Sequence, residues 1–517
     1  MQSKTLTYRD YRDKVRACWL GKNIGGTLGA PFECIRGVYD LEYYTHDLSL
    51  GVLPNDDLDL QLAWLHAAET YGKNVNSEVL AEYWLSYIVP DWSEYGACKN
   101  NLRYGLQPPL SGWYHNHNKD SCGSFIRSEI WACLAPGHPE IAVKYAYEDA
   151  ICDHADEGVY ASLFCAALQS AAFVETDRDA LIKLAKCYIP QQCAVALAVD
   201  TAIACYDEGM DWKQARKKIL NVVPGSFGMY NGYKDQVPEA DVPVGKLGFD
   251  APSNIGLMML GWLYGEGDFS KSICISAGCC EDGDCTAGTL GATLGILYGT
   301  KAIDEKWLQP IGDEIKTISL DMSNLGFKVP QTVTELTERV VNLMPTFMHG
   351  HIALNENGEL VFREIQKLFA GEIKTSVLTY STLQKQLCTS TVFVKKSCPL
   401  FDVKLIYADE TLEFAAGMPK KFRLQFENKI RAQHWLEMKL YMPEGWRGNP
   451  GAEMSVFVDN RHGGNGVTAF EFEITPAMPT KSRYDLLLEI KAHGRATAVH
   501  LPIVLLNERG MPYDALS

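Results

Sequence analysis

The sequence lacks the marks of several protein classes. It has no run of about 18 uncharged apolar residues, so no transmembrane helix is expected. Residues 1–10 contain no apolar stretch, so no secretory signal is expected there. The 16 cysteines include no C-x-x-C pair, which removes the commonest zinc and thioredoxin-type signatures. They sit in apolar stretches such as Ala17-Cys18-Trp19 and Phe164-Cys165-Ala166, so buried, reduced thiols in a cytoplasmic protein are expected. Basic residues are scarce: 48 Lys and Arg face 64 Asp and Glu, a formal net charge of −16. Phosphate backbones and anionic lipids are repelled by such a surface, so neither nucleic acid nor membrane is an expected partner. Repeats, low-complexity tracts and long charge runs are also missing.

What is present is a long chain of ordinary globular composition. At 517 residues, with 47% hydrophobic and 22% charged, it exceeds the usual size of one domain. Two regimes follow each other. From about residue 10 to about 375 the pattern is helical: 180–188 and 191–200 are rich in Ala and Leu at helical spacing, and 159–173 suits a fully buried helix. Gly and Pro mark loops at 107–112 and 237–250. From about residue 392 the period becomes two. Strands are expected at 401–407, 422–426, 436–441, 455–458, 470–474, 484–490 and 499–505, a spacing that suggests an immunoglobulin-like β-sandwich. The expected division is an all-α catalytic domain over 1–390 and a β-sandwich over 391–517. Trp435 and Trp446 are read as core or interface residues of the latter.

Two acidic clusters each open an apolar helix. In Pro54-Asn-Asp-Asp-Leu-Asp59, Asn55 or Asp56 can cap a helix, and three acids within four residues exceed what capping needs. In Cys280-Glu-Asp-Gly-Asp-Cys285, Asp282 and Asp284 can face one centre from a turn, ahead of a helix of Gly, Ala and Thr. Adjacent carboxylates repel unless a cation lies between them. Two such clusters without histidine favour Mg²⁺, Mn²⁺ or Ca²⁺ over zinc. A third segment, Gly21-Lys-Asn-Ile-Gly-Gly-Thr-Leu-Gly-Ala-Pro-Phe-Glu33, reads as a closely packed helix that ends in a loop carrying Glu33. Arg127 and Glu129 lie in an apolar helical stretch as candidate buried anchors, and His154 among acids reads first as a structural hydrogen bonder.

In this order, these segments resemble the ADP-ribosylglycohydrolase family over roughly residues 10–310. Gly25-Gly-Thr-Leu-Gly-Ala-Pro-Phe-Glu33 matches its Gly-rich first helix, Asn55-Asp-Asp-Leu58 its first metal element, and Asp282-Gly-Asp-Cys285 its closing element. The resemblance implies an all-α orthogonal bundle with two Mg²⁺ ions held by Asn55, Asp56, Asp57, Asp282 and Asp284. It implies catalytic roles for Glu33, Asp57 and Asp284, with Arg127, His154, Asn254 and Cys285 at the substrate. Arg127, Lys22 and backbone amides are the donors on hand for a pyrophosphate. The expected substrate is an ADP-ribosylated side chain or a small ribosyl glycoside, cleaved at the anomeric carbon. Alternatives are a hydrolase of nucleosides or other small glycosides, and a degenerate ADP-ribose-binding protein. Four positions depart from the family pattern: Asn55 replaces Thr or Ser, Cys285 replaces Thr, Gly26 replaces an acid, and Gly283 stands where Thr is frequent. These departures predict that one metal site is weakened or lost. An oligomer is compatible with the sequence.

Overall fold

A computed structural model describes residues 6–223, 248–321, 328–356, 360–362, 392–460 and 466–507. The chain divides into two compact units. One comprises Met1–Leu102 and Ser111–Cys388, the other Arg103–Leu110 and Thr389–Ser517. The expected boundary at 390–391 lies outside the described residues, as do 237–247 of the expected second loop. Among the described residues, no helix is long and apolar enough to cross a membrane.

The first unit is helical and is organised around one helix pair. Helix Tyr8–Gly29 begins where the Thr7 side chain accepts a hydrogen bond from the Asp10 amide at 3.1 Å. From Ala17 to Gly29 every residue is buried. Its partner, helix Gly283–Tyr298, is buried from Gly283 to Leu297. Helices apolar on all sides belong in a core. These two run antiparallel with their backbones in contact, because both carry small residues every fourth position. A Cβ added to Gly21, Gly25 or Gly29 would lie 2.1–2.2 Å from the carbonyl oxygen of Gly291, Ala287 or Gly283, respectively. A Cβ on Gly295 would lie 2.2 Å from the Ala17 carbonyl oxygen. No side chain fits between them.

Around this pair lie the helices that the periodicity predicts. The 180–188 and 191–200 patterns become Arg178–Lys186 and Ala194–Asp207, with Pro190 in the break between them. The 159–173 stretch becomes Asp156–Ala172, buried on nearly every side. The 107–112 loop is shorter than expected, since one helical turn starts at Leu110. The end of the helical regime expected near residue 375 lies outside the described residues. The last described helix is Val333–Phe347, and a short hairpin pairs Ile352–Leu354 with Leu360–Phe362. Gly350, at φ 92°, makes the left-handed turn that leads into it. Residues 363–391 lie outside the described residues.

The second unit contains two five-stranded sheets. One has the order Arg447–Asn449, Val467–Thr475, Lys420–Asn428, Phe401–Tyr407, Phe393–Ser397. The other has Glu453–Val458, His434–Tyr441, Arg483–Ala492, Ala498–Asn507, Glu413–Phe414. Pairing is antiparallel except at Glu413–Phe414. All seven expected strands are present, and the three that the sequence did not reveal are two to five residues long. Strict in–out alternation, as in His434–Tyr441, gives each sheet one apolar face. The Tyr407 hydroxyl joins the sheets, donating to the Val504 carbonyl and accepting from its amide, both at 3.1 Å. Trp446 is buried against Phe414 and Tyr484. Trp435 instead stands on an outer face, 56% exposed beside Phe457.

Gly25→Ala tests the helix contact. Helix propensity alone would stabilise this variant by about 1 kcal/mol. The clash with the Ala287 backbone reverses the sign, and a net loss of about 1–3 kcal/mol is expected in urea unfolding of the full chain. Equal or higher stability would contradict the backbone contact.

Candidate functional site

The helix pair runs antiparallel, so the C-terminus of Tyr8–Gly29 meets the N-terminus of Gly283–Tyr298. After one turn at Ala30–Phe32, residues Glu33–Ile35 pair with Glu281–Asp282, placing Glu33 opposite Asp282. This ribbon is strained. Cys34, Cys280 and Glu281 all have positive φ, at 59°, 57° and 66°, a conformation that costs side-chain-bearing residues about 1–3 kcal/mol each. A buried ion pair holds it in place. Glu281 accepts two bonds from Arg36, at 2.7 and 2.9 Å, and one from Arg216 at 3.3 Å. Glu281 is therefore committed to its arginines, and Asp282 and Asp284 are the acids of this cluster that remain for chemistry.

The other acids arrive on helix Asp56–Tyr71. Asn55 caps it, its Oδ1 accepting from the Asp57 amide at 2.7 Å. The Asn55 Nδ2 donates to Asp284 Oδ2 at 3.3 Å and thereby links the two clusters. A Cβ on Gly26 would lie 2.6 Å from that Nδ2. Gly26 and Asn55 are thus complementary: the amide fills the room that a side chain at position 26 would need.

Two groups of ligand atoms result. Atoms of Asp57, Asp284 and Cys285 lie within 4.8 Å of one another, as do those of Glu33, Asp282 and Asp284. Asp284 belongs to both. Asp57, Asp282 and Asp284 are at most 5% exposed, whereas Glu33 is exposed. Asp56 stands beside them, its Oδ2 accepting from the Tyr95 hydroxyl at 2.8 Å. The Cys285 thiol donates to Asp57 Oδ1 at 3.5 Å. Thr286 turns away, its hydroxyl donating to the Gly283 carbonyl at 3.1 Å.

The electrostatics are unfavourable without added positive charge. Burial, then Asp57, pushes the Asp56 carboxyl up to about 8. Asp282 and Asp284 are held well above the usual carboxylate range, by burial first and by neighbouring acids second. Glu33 is raised by loss of water and by Asp57. The cation in contact with Asp57 is Lys22, 2% exposed, 3.1 Å from Asp57 and 3.2 Å from Glu129. Burial works against the Lys22 charge, but these two acids more than offset it. Glu129, itself pushed up to about 7 by burial, accepts from Gln61 at 3.1 Å.

Of the remaining expected substrate contacts, Arg127 and His154 pair with other residues and Asn254 reaches the cluster. Arg127 is fully buried and bonded to Asp149 at 2.8 Å and Asp153 at 2.6 Å, with Trp84 against its guanidinium. Asp153, His154 and Ser121 are linked in series, at 3.0 Å on each side of the imidazole, like a hydrolytic triad. All three are at most 2% exposed, so they brace the core rather than meet substrate. Asn254 positions the acids: its Oδ1 accepts from the Asp282 amide at 3.3 Å and its Nδ2 donates to the Asp250 carbonyl at 3.0 Å. Sequence reasoning missed Tyr95 and Gln61. Gln61 left a trace, as a polar residue four positions after Asp57 in an apolar helix; Tyr95 left none.

A sequence profile described as ADP-ribosylglycohydrolase matches residues 7–345. The chain belongs to the ADP-ribosylglycohydrolase family. A solved structure titled "ADP-ribosylglycohydrolase-related protein complex" is similar at 17% identity and a TM-score of 0.40, covering 66% of this chain and 98% of that one. No curated protein matches the chain. The family match spans all the acids of the cluster, from Glu33 to Asp284, and ends before the β unit.

Lys22→Met is the sharpest test of the buried network in this family member. It leaves Asp57 and Glu129 without their cation and should cost about 3–5 kcal/mol in chemical unfolding. A neutral outcome would contradict the Asp57–Lys22–Glu129 chain.

Proposed function

We propose that this protein is a divalent-cation-dependent hydrolase that cleaves a ribosyl glycosidic bond at the anomeric carbon, with ADP-ribosylated side chains as its substrate class. Family membership supports the hydrolase chemistry. The observation that carries the metal dependence is the donor set itself. Carboxylates from three chain segments converge, and among the described residues the buried Oδ1 atoms of Asp282 and Asp284 have no hydrogen-bond partner. Buried acceptors are normally satisfied, and a cation of the Mg²⁺ or Mn²⁺ kind would satisfy these.

Asp57, Asp282 and Asp284 would hold the metal, with Asp56 and the Asn55 amide at its edge. When bound, it would hold ribose hydroxyls and polarise the attacking water. The protein's own groups do the rest. Glu33 is the exposed acid of the cluster. Its carboxyl, raised by burial and by Asp57, is placed to give a proton to the departing group and take one from water. Tyr95 orients Asp56, and Lys22 holds Asp57 in place.

One observation favours a smaller glycoside as the second reading. The two cations on hand for a pyrophosphate, Lys22 and Arg127, are both buried against acids. A nucleoside or simple riboside would not need them.

The test is ADP-ribose release from ADP-ribosyl-arginine, with Mg²⁺ and with excess chelator. Release that disappears with chelator is expected; release that persists contradicts the metal centre. Turnover of a nucleoside panel without ADP-ribose release would select the second reading.

Asp284→Asn has a double signature. It removes a ligand shared by both groups, so activity should fall at least about a hundredfold. It also removes a buried carboxyl crowded by neighbouring acids, so the metal-free protein should gain about 0.5–2 kcal/mol. Loss of activity together with loss of metal-free stability would instead make Asp284 a structural residue.

A further inference from the structure

The two groups of ligand atoms differ in chemistry. Glu33, Asp282 and Asp284 offer oxygen only, whereas Asp57, Asp284 and Cys285 offer two carboxylates and a thiol. We infer that the second position selects a thiophilic cation, Zn²⁺ or its analogue Co²⁺, with Cys285 as a thiolate ligand, beside a hard Mg²⁺-type position. The inference rests on the metal-centred reading above and names the ion that one half of that centre takes.

Two observations carry it. The first is geometry. Cys285 Sγ lies 3.5 Å from Asp57 Oδ1. One sulfur and one oxygen at ordinary zinc distances in a tetrahedral site are about 3.6 Å apart, so the pair already has the edge length of such a site. The second is the unmet need on the same acids. Asp284, common to both positions, is 5% exposed and its Oδ1 has no hydrogen-bond partner among the described residues. Thiolate ligands favour zinc-like ions, and carboxylates favour Mg²⁺ and Mn²⁺. A soft donor on one side of Asp284 and hard donors on the other divide the two positions between two kinds of cation.

Full-length protein is stripped of metal, then given one equivalent of Co²⁺ in excess Mg²⁺. A near-ultraviolet sulfur-to-cobalt charge-transfer band is expected. Cys285→Ser should abolish the band and weaken Zn²⁺ binding roughly tenfold or more, at least the effect of losing an outer-shell partner, while Mg²⁺ binding persists. Zinc-edge X-ray absorption of the wild-type protein needs no variant and should show one sulfur neighbour at about 2.3 Å. Bound Zn²⁺ with oxygen and nitrogen neighbours alone would overturn the inference and leave the oxygen centre standing. A charge-transfer band that survives in Cys285→Ser would also overturn it, since another thiol would be the ligand. Failure to bind any of Mg²⁺, Mn²⁺, Co²⁺ or Zn²⁺ would overturn the metal-centred reading, and this inference with it.

Discussion

Direct backbone contact between helices Tyr8–Gly29 and Gly283–Tyr298 is the constraint on which the rest of the first unit depends. Residues some 260 positions apart in sequence are brought together because Gly21, Gly25 and Gly29 oppose Gly291, Ala287 and Gly283. The antiparallel sense determines which ends meet. The exit of the first helix, with Glu33, lies against the entry of its partner, with Asp282 and Asp284. A bulkier residue on either stripe would separate the helices, and the ribbon that pairs Glu33 with Asp282 would come apart. The small-residue pattern is therefore a positioning device as much as a packing one.

That device serves a cluster which costs stability. Several carboxyls are buried together with one lysine, and three residues of the connecting ribbon have left-handed backbone. Native cores normally avoid both features. Here they are sustained by neighbours devoted to the purpose. Arg36 and Arg216 secure Glu281, Asn254 fixes the Asp282 amide, Tyr95 holds Asp56, and Asn55 ties Asp284 to the opposite cluster. Strain and repulsion concentrated at the junction of two long rigid helices are what a centre awaiting a cation is expected to contain.

Much of this was legible in the sequence. The acidic clusters stood out because they exceed what a helix cap needs, and the strands because alternation survives in each of seven segments. The glycine spacing announced close packing but not its partner, since which two helices touch is a long-range fact. For the same reason Tyr95 was invisible: nothing local distinguishes a tyrosine that reaches Asp56 from any other. Arg127 shows the same limit. A charged residue in an apolar stretch can face a ligand or a buried acid, and Asp149 and Asp153, with which Arg127 pairs, lie on another segment. The hairpin at Ile352–Leu354 was missed because its strands are only three residues long, too short for a period to show.

The central claim is that one helix contact assembles Asp57, Asp282 and Asp284 into a cation site. Crystals grown with Mn²⁺ and measured at the manganese edge test it most directly. The account predicts an anomalous peak within coordination distance of Asp284 and of at least one of Asp57 and Asp282. Full manganese in the medium with no peak among these acids, or a peak elsewhere on the chain, would contradict it.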